Sequence, residues 1–188
     1  MGVQVPLPPS PQRLLGVLVA GLAAVVLISP AGSQAPGAAS SSDQRLAAEL
    51  SRRYEFLKQR HLSGVPEISV AEWLSRPRGQ SAVLVDVREP EEQRVSMLPG
   101  AITQQQFELS GDRYRGVLVV PYCTIGLRSG LYARELQAQG YRVRNLAGSA
   151  LAWAHAGRPF SSAGRPSQRM HVFGADWNLL PSGYEGVL

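Results

Sequence analysis

The stretch Cys123–Ser129 holds the single cysteine of the chain and directly follows the apolar run Val117–Val120. An apolar strand that ends in a thiol, a turn with Gly126 and a helix start is a suitable place for an anion. Backbone N–H groups of the turn and the positive end of the helix dipole would face the sulfur and favour a thiolate. Thiols at helix N-termini or beside cations have a lowered pKa, so a large share of them is ionised at neutral pH and acts as a nucleophile. The segment therefore predicts a reactive cysteine, with a buried inert thiol as the alternative.

Other polar residues near the predicted strands have simpler interpretations. Asp86 and Arg88 follow the apolar run Ala82–Val85, and we interpret them as an ion pair that braces the sheet edge near the loop. Glu91 and Glu92 are expected to form a solvated helix start. Trp153 is expected to serve helix packing, and His155 is expected to be an exposed histidine or one whose hydrogen bonds are satisfied.

Strand and helix patterns alternate from Ile68 onward. The runs Ala82–Val87 and Val117–Val120 are continuous and apolar, as expected for strands buried on both faces of a parallel sheet. A further strand is predicted over Tyr141–Leu146, and the predicted helices are Asp43 (as N-cap) to Gln59, a capped turn from Ser69, a turn from Glu89, Ser129–Gln139 and Ala150–His155. In such sheets functional sites lie at the carboxyl ends of the strands, where both Asp86 and Cys123 fall.

Composition bounds the possible partners. The formal net charge is +5, and the arginines are scattered rather than grouped into a block that could follow a phosphate backbone. We therefore expect small anionic substrates and no nucleic acid. One cysteine excludes an intramolecular disulfide and a Cys-based metal site, and the three histidines have no short spacing to one another, so no metal or other cofactor is implied.

The N-terminus predicts export. The uncharged apolar run Leu14–Ile28 follows Arg13 and is shorter than the about 20 residues that comfortably span a membrane. It predicts a cleaved signal peptide or a membrane anchor, with the domain outside the cytoplasm in the periplasm, a lumen or the extracellular space. N-terminal sequencing of the mature protein distinguishes the two.

The predicted organisation is a leader and flexible linker over 1–42, a leading helix over 43–65 without chemistry of its own, a main domain over 66–162, and a tail over 163–188 whose aromatic residues pack on the domain.

Four motifs occur in an order and spacing that resemble the rhodanese family of sulfurtransferases. They are Val85–Glu89, Leu98–Ile102, Val119–Ser129, and Leu146–Ser149 with Trp153. The resemblance covers about residues 66–160. It implies an α/β domain of three layers, with a central, mostly parallel sheet flanked by helices.

The resemblance implies that Cys123 is the catalytic residue and holds a persulfide. Its thiolate takes the outer sulfur of thiosulfate or of a persulfide donor, small or protein-borne, and passes it to cyanide or a thiol. The loop that binds the persulfide comprises Thr124, Ile125, Gly126, Leu127, Arg128 and Ser129. Arg128 is expected to add positive charge, and Asp86 and Arg88 to support the loop.

Two alternatives stay open. One is phosphatase or arsenate-reductase chemistry. Cysteine phosphatases in general place arginine after five residues, to wrap the larger tetrahedral phosphate, whereas here four residues separate Cys123 from Arg128. A non-catalytic binding module or a redox-sensing thiol is the other.

The chain also departs from the family's pattern at Ser96 and Met97, where glycine and histidine are common. Ile125 and Leu127 are apolar, which leaves room for a persulfide donor rather than bare thiosulfate.

Overall fold

A computed structural model describes residues 40–77 and 79–188. The predictions for Leu14–Ile28 and for most of the linker fall on residues outside these ranges. The helices are α1 (Ser41–His61), α2 (Val70–Ser75), α3 (Pro90–Val95), α4 (Gln104–Leu109), α5 (Leu127–Ala138) and α6 (Ser149–His155). The strands are β1 (Glu67–Ile68), β2 (Ala82–Asp86), β3 (Ile102–Thr103), β4 (Leu118–Tyr122), β5 (Asn145–Leu146), β6 (Phe160–Ser162), β7 (Arg165–Ser167), β8 (Arg169–His171) and β9 (Glu185–Val187). Short 3-10 helices cover Gly111–Tyr114 and Ala175–Trp177.

A parallel sheet forms the centre of the domain. Strand β2 pairs in parallel with β3 on one side and β4 on the other, and β1 pairs in parallel with β5. A parallel bridge between Val119 and Val143, with the Arg144 N–H donating to the Val119 carbonyl at 3.0 Å, joins these parts into the order β3-β2-β4-β5-β1. The α/β fold with a mostly parallel sheet is therefore confirmed.

Both faces of this sheet are buried. Alternate residues of β4 point to opposite faces, so Leu118 and Val120 join one apolar cluster while Val119 joins the other. The first cluster is completed by α1 and α6, and the second by α4 and α5. Helices on both faces of a parallel sheet make the predicted three layers.

The start of α1 differs from the prediction. Ser40, not Asp43, is the N-cap, because its Oγ accepts a hydrogen bond from the Asp43 N–H at 3.1 Å. The Asp43 carboxylate instead accepts hydrogen bonds from the N–H and hydroxyl of Ser182, at 2.8 and 2.9 Å. As a result the last two residues of the predicted linker, Ser41 and Ser42, are helical. The capping box predicted at Ser69 is present, with Glu72 as its partner.

The strand predicted over Tyr141–Leu146 is shorter in the structure than predicted, since only Asn145 and Leu146 pair regularly, with β1.

The tail packs on the domain as expected. Met170 and Val172 are buried in the first apolar cluster, and β8 pairs with β9. None of the helices within 40–77 and 79–188 is long and apolar enough to cross a membrane.

Candidate active site

The site lies where β4 ends and α5 begins. Cys123 follows β4 directly, and the loop turns at Gly126, whose φ is 114°. A side chain there would place its Cβ 2.6 Å from Cε2 of Tyr54, so the turn requires glycine on both grounds. The Gly126 N–H donates a hydrogen bond to the Cys123 sulfur at 3.1 Å. The loop therefore folds back over the thiol at the head of α5.

A buried polar cluster fixes the backbone around the thiol. The Cys123 N–H donates to the Ser149 Oγ at 3.1 Å, and the Cys123 carbonyl accepts from the Ala150 N–H at the same distance. The Ser129 Oγ lies 3.6 Å from the sulfur and 2.7 Å from Oδ1 of Asn145. Sequence reasoning placed Ser149 only within a family motif and missed Asn145. The sequence signal that could have placed Ser149 near Cys123 was the Gly148-Ser149 turn directly after a short strand.

Arg128 does not stand free beside the sulfur. Its Nη1 and Nη2 donate to the two carboxylate oxygens of Glu92, at 2.7 and 2.8 Å, and the Thr124 hydroxyl donates to the same carboxylate at 3.2 Å. Glu92 exposes 1% of its surface, so the prediction that it is solvated was wrong. The helix start does lie at the surface, at Glu91, but the next side chain turns inward to reach Arg128.

The two charges of this pair stabilise each other. Burial acts to raise the pKa of Glu92, but the hydrogen bonds from Arg128 and from the Glu89 N–H outweigh it, and the pKa is lowered. Burial acts to lower the pKa of Arg128, but Glu92 and the negative charge of a Cys123 thiolate raise it. The guanidinium of Arg128 therefore interacts with two negative groups, the Glu92 carboxylate and the Cys123 thiolate.

Asp86 and Arg88 form an ion pair at the end of β2, where one was predicted, and the structure shows that this pair is buried. The Arg88 Nε and Nη2 donate to the two Asp86 oxygens at 2.9 and 2.7 Å, and both side chains are fully buried. Nη2 also donates to the Ser96 carbonyl at 2.6 Å, and the Tyr122 hydroxyl donates to Asp86 at 2.5 Å. Burial raises the pKa of Tyr122 well above its usual range, and the charge of Asp86 adds to this. The pair thus braces β2 and β4 against the chain that follows α3.

The thiol lines a small cavity. Cys123 exposes 1% of its surface and packs with the second apolar cluster, yet it borders a space of about 190 Å³. The other lining residues are Leu57, Thr124, Ile125, Leu127, Arg128, Phe173 and Trp177.

Three of these lining residues come from segments without predicted chemistry. Leu57 belongs to α1, a helix for which no chemistry was predicted, and it contributes an apolar side chain to the cavity. Phe173 and Trp177 come from the tail. The aromatic residues of the tail indicated that it packs on the domain, but not where.

Within residues 40–77 and 79–188 there is no group of three His, Cys, Asp or Glu side chains that could hold a metal ion.

Comparison with known proteins identifies the domain. Residues 70–156 match the family model of the rhodanese-like domain. A protein from Allochromatium vinosum named sulfurtransferase is 39% identical over 88 residues, which is 43% of this chain and 78% of that protein. The chain belongs to the rhodanese-like domain family.

Solved structures similar to this rhodanese-like domain have low sequence identity. A thiosulfate sulfurtransferase from Pseudomonas aeruginosa is 21% identical, with a TM-score of 0.48, and the match covers 62% of this chain. The chain spans only 23% of the length of that protein. A rhodanese-like domain protein from Staphylococcus aureus is 22% identical, with a TM-score of 0.44, over 52% of this chain and 98% of that one.

Proposed function

We propose that the protein is a sulfurtransferase in which Cys123 carries the transferred sulfur as a persulfide. The observation behind the proposal is the Gly126 N–H, which donates to the Cys123 sulfur at 3.1 Å inside a lined cavity. An N–H aimed at sulfur stabilises negative charge on it, and the first turn of α5 adds N–H groups that have no intrahelical acceptor. The named relative from Allochromatium vinosum supports the same activity.

The reaction has two displacement steps without net oxidation. In the first, the Cys123 thiolate attacks the sulfane sulfur of the donor. A new S–S bond forms, the donor's bond to that sulfur breaks, and its electron pair leaves with sulfite or a thiolate. In the second, a thiol or cyanide attacks the outer sulfur and the Cys123 thiolate is released. The loop amides solvate the persulfide anion between the steps.

The geometry favours sulfur transfer over phosphatase chemistry. A phosphatase loop in general needs an arginine whose guanidinium is directed at the bound phosphate and donates two parallel hydrogen bonds to its oxygens. Here Nη1 and Nη2 of Arg128 already donate to Glu92. A module that only binds partners would have no need of a thiol that lines a cavity and accepts a loop N–H.

Intact-mass measurement tests the proposal. Full-length protein incubated with a sulfane sulfur donor is expected to gain the mass of one sulfur atom and to lose it on addition of cyanide. Cys123→Ser is expected to show no gain, and because the chain has one cysteine, no other thiol can take over. Equal behaviour of the wild type and Cys123→Ser would contradict the proposal.

A further inference from the structure

The cavity beside Cys123 offers little to a doubly charged donor. Apart from the thiol, Arg128 is the one charged residue among its described lining residues, and its guanidinium is paired with the buried Glu92. Thiosulfate carries two negative charges and a cap of sulfonate oxygens. Moving such a dianion from water into a space whose one charged lining residue besides the thiol, Arg128, is already paired with a carboxylate is costly.

The same cavity offers much to an apolar group. Leu57, Ile125, Leu127, Phe173 and Trp177 supply most of its wall. Its volume of about 190 Å³ exceeds the roughly 150 Å³ of an apolar protein cavity that accommodates benzene. An aromatic or branched aliphatic substituent would therefore fit beside the sulfur.

The two aromatic walls are held in place by contacts with the helices. The Arg128 guanidinium lies 5.2 Å from the ring centre of Phe173. The Arg53 guanidinium lies 5.6 Å from the ring centre of Trp177, and its Nη1 donates to the Asp176 carbonyl at 2.6 Å. These contacts favour the observed ring positions before a ligand binds, which reduces the entropy lost on binding.

We infer that the cavity selects organic sulfane sulfur donors, with an apolar group next to the sulfane sulfur and no more than one negative charge. Phe173 and Trp177 are the specificity-determining residues. The inference rests on the proposed sulfurtransferase function and names its donor class. Organic persulfides and thiosulfonates share the required chemistry.

Three donors separate charge from apolar contact. Thiosulfate has two charges and no substituent, methanethiosulfonate has one charge and a methyl group, and benzenethiosulfonate has one charge and a phenyl group. Each delivers its sulfane sulfur to the Cys123 thiolate and leaves as sulfite or a sulfinate, so the electrons balance. We expect kcat/KM to rise along this series, with benzenethiosulfonate better than methanethiosulfonate by about tenfold or more.

Variants of the full-length protein then test the aromatic wall. Phe173→Ala and Trp177→Ala are expected to lower the ratio of kcat/KM for benzenethiosulfonate to that for methanethiosulfonate by about fivefold or more each. Phe56→Ala is the matched control, because Phe56 is 58% exposed, against 61% for Phe173, and lies outside the lining of the cavity. Its ratio should equal that of the wild type.

The outcomes distinguish the two proposals. The inference on donor class would be overturned if kcat/KM for thiosulfate equalled that for benzenethiosulfonate. It would also be overturned if the ratio of benzenethiosulfonate to methanethiosulfonate were unchanged in both Phe173→Ala and Trp177→Ala. Either result would leave the sulfurtransferase proposal standing. Failure of all three donors to add sulfur to Cys123 would overturn both.

Discussion

Glu92 sets how much of the Arg128 charge reaches the sulfur. Its two oxygens occupy both terminal nitrogens of the guanidinium, and the Thr124 hydroxyl and the Glu89 N–H complete its hydrogen bonds. A carboxylate this deeply buried is tolerable only when it is paired. Glu92 therefore stabilises the fold through this network and offsets the positive charge of Arg128 beside the cavity.

Glu92→Gln is expected to destabilise the protein at neutral pH. The substitution leaves the half-buried Arg128 without its counter-charge, and we expect a loss of about 1–3 kcal/mol in the free energy of unfolding. Glu91→Gln is the matched control. Glu91 lies in the same helical turn but is exposed, so its loss should stay within about 0.5 kcal/mol. Urea denaturation at neutral pH measures both, and equal losses would contradict the role given to Glu92.

The destabilisation caused by Glu92→Gln is expected to depend on pH. The pKa of Glu92 lies below its usual value of 4.5 in the folded state, so the unfolded chain binds the proton more readily. The stability that Glu92 contributes is complete above pH 4.5 and is lost as the pH falls through its lower folded-state pKa. The stability difference between the wild type and Glu92→Gln should therefore shrink on acidification below that value.

The element that positions Cys123 is the turn from β4 into α5, and α1 supports this turn from outside. The ring of Tyr54 packs against Gly126, and its hydroxyl accepts a hydrogen bond from the Asn145 side chain at 3.3 Å. Asn145 in turn donates to the Gly126 carbonyl at 3.0 Å. Helix α1 thus holds the loop closed over the sulfur.

Gly126→Ala is expected to open this turn. The variant combines an unfavourable positive φ with a Cβ 2.6 Å from the Tyr54 ring, and we expect it to cost about 2–5 kcal/mol in the free energy of unfolding. Gly100→Ala is the control, since Gly100 also has a positive φ, of 76°, but no atom within 4 Å of an added Cβ. That control should lose only about 1–2 kcal/mol. Thermal unfolding compares the two, and similar losses would show that the Tyr54 contact is unimportant.

At the scale of the whole molecule, the folded unit extends beyond the family match. The match ends at residue 156, but Phe160, Met170, Val172 and Leu179 are buried in the same apolar cluster as the sheet. The Asp43 carboxylate at the start of α1 accepts hydrogen bonds from Ser182 near the end of the chain. Helix α1, before the matched region, and the tail after it therefore share one core with that region.

Sequence reasoning succeeded where the signal was local. The apolar run before Cys123, the glycine of the turn and the Ser69 capping box are short-range patterns, and each predicted an element that is present. It failed where a residue's environment depends on a distant partner. Glu92 has the sequence context of an exposed helix start, and only Arg128, 36 residues away, makes it buried. The aromatic wall likewise depends on how the tail crosses the cavity, which no short pattern encodes.

The last prediction tests whether the tail is part of the core. Met170 is fully buried, and removing its side chain beyond Cβ in Met170→Ala leaves a cavity next to the sheet, which typically costs about 2–5 kcal/mol. Leu188→Ala also shortens an apolar side chain of the tail, but Leu188 is 75% exposed and its loss should stay within about 0.5 kcal/mol. A single cooperative urea transition that shifts in Met170→Ala and not in Leu188→Ala would place the tail in the same folding unit as the sheet. An unshifted main transition in Met170→Ala would instead mean that the tail can detach, and the cavity beside Cys123 would then lose Phe173 and Trp177 together.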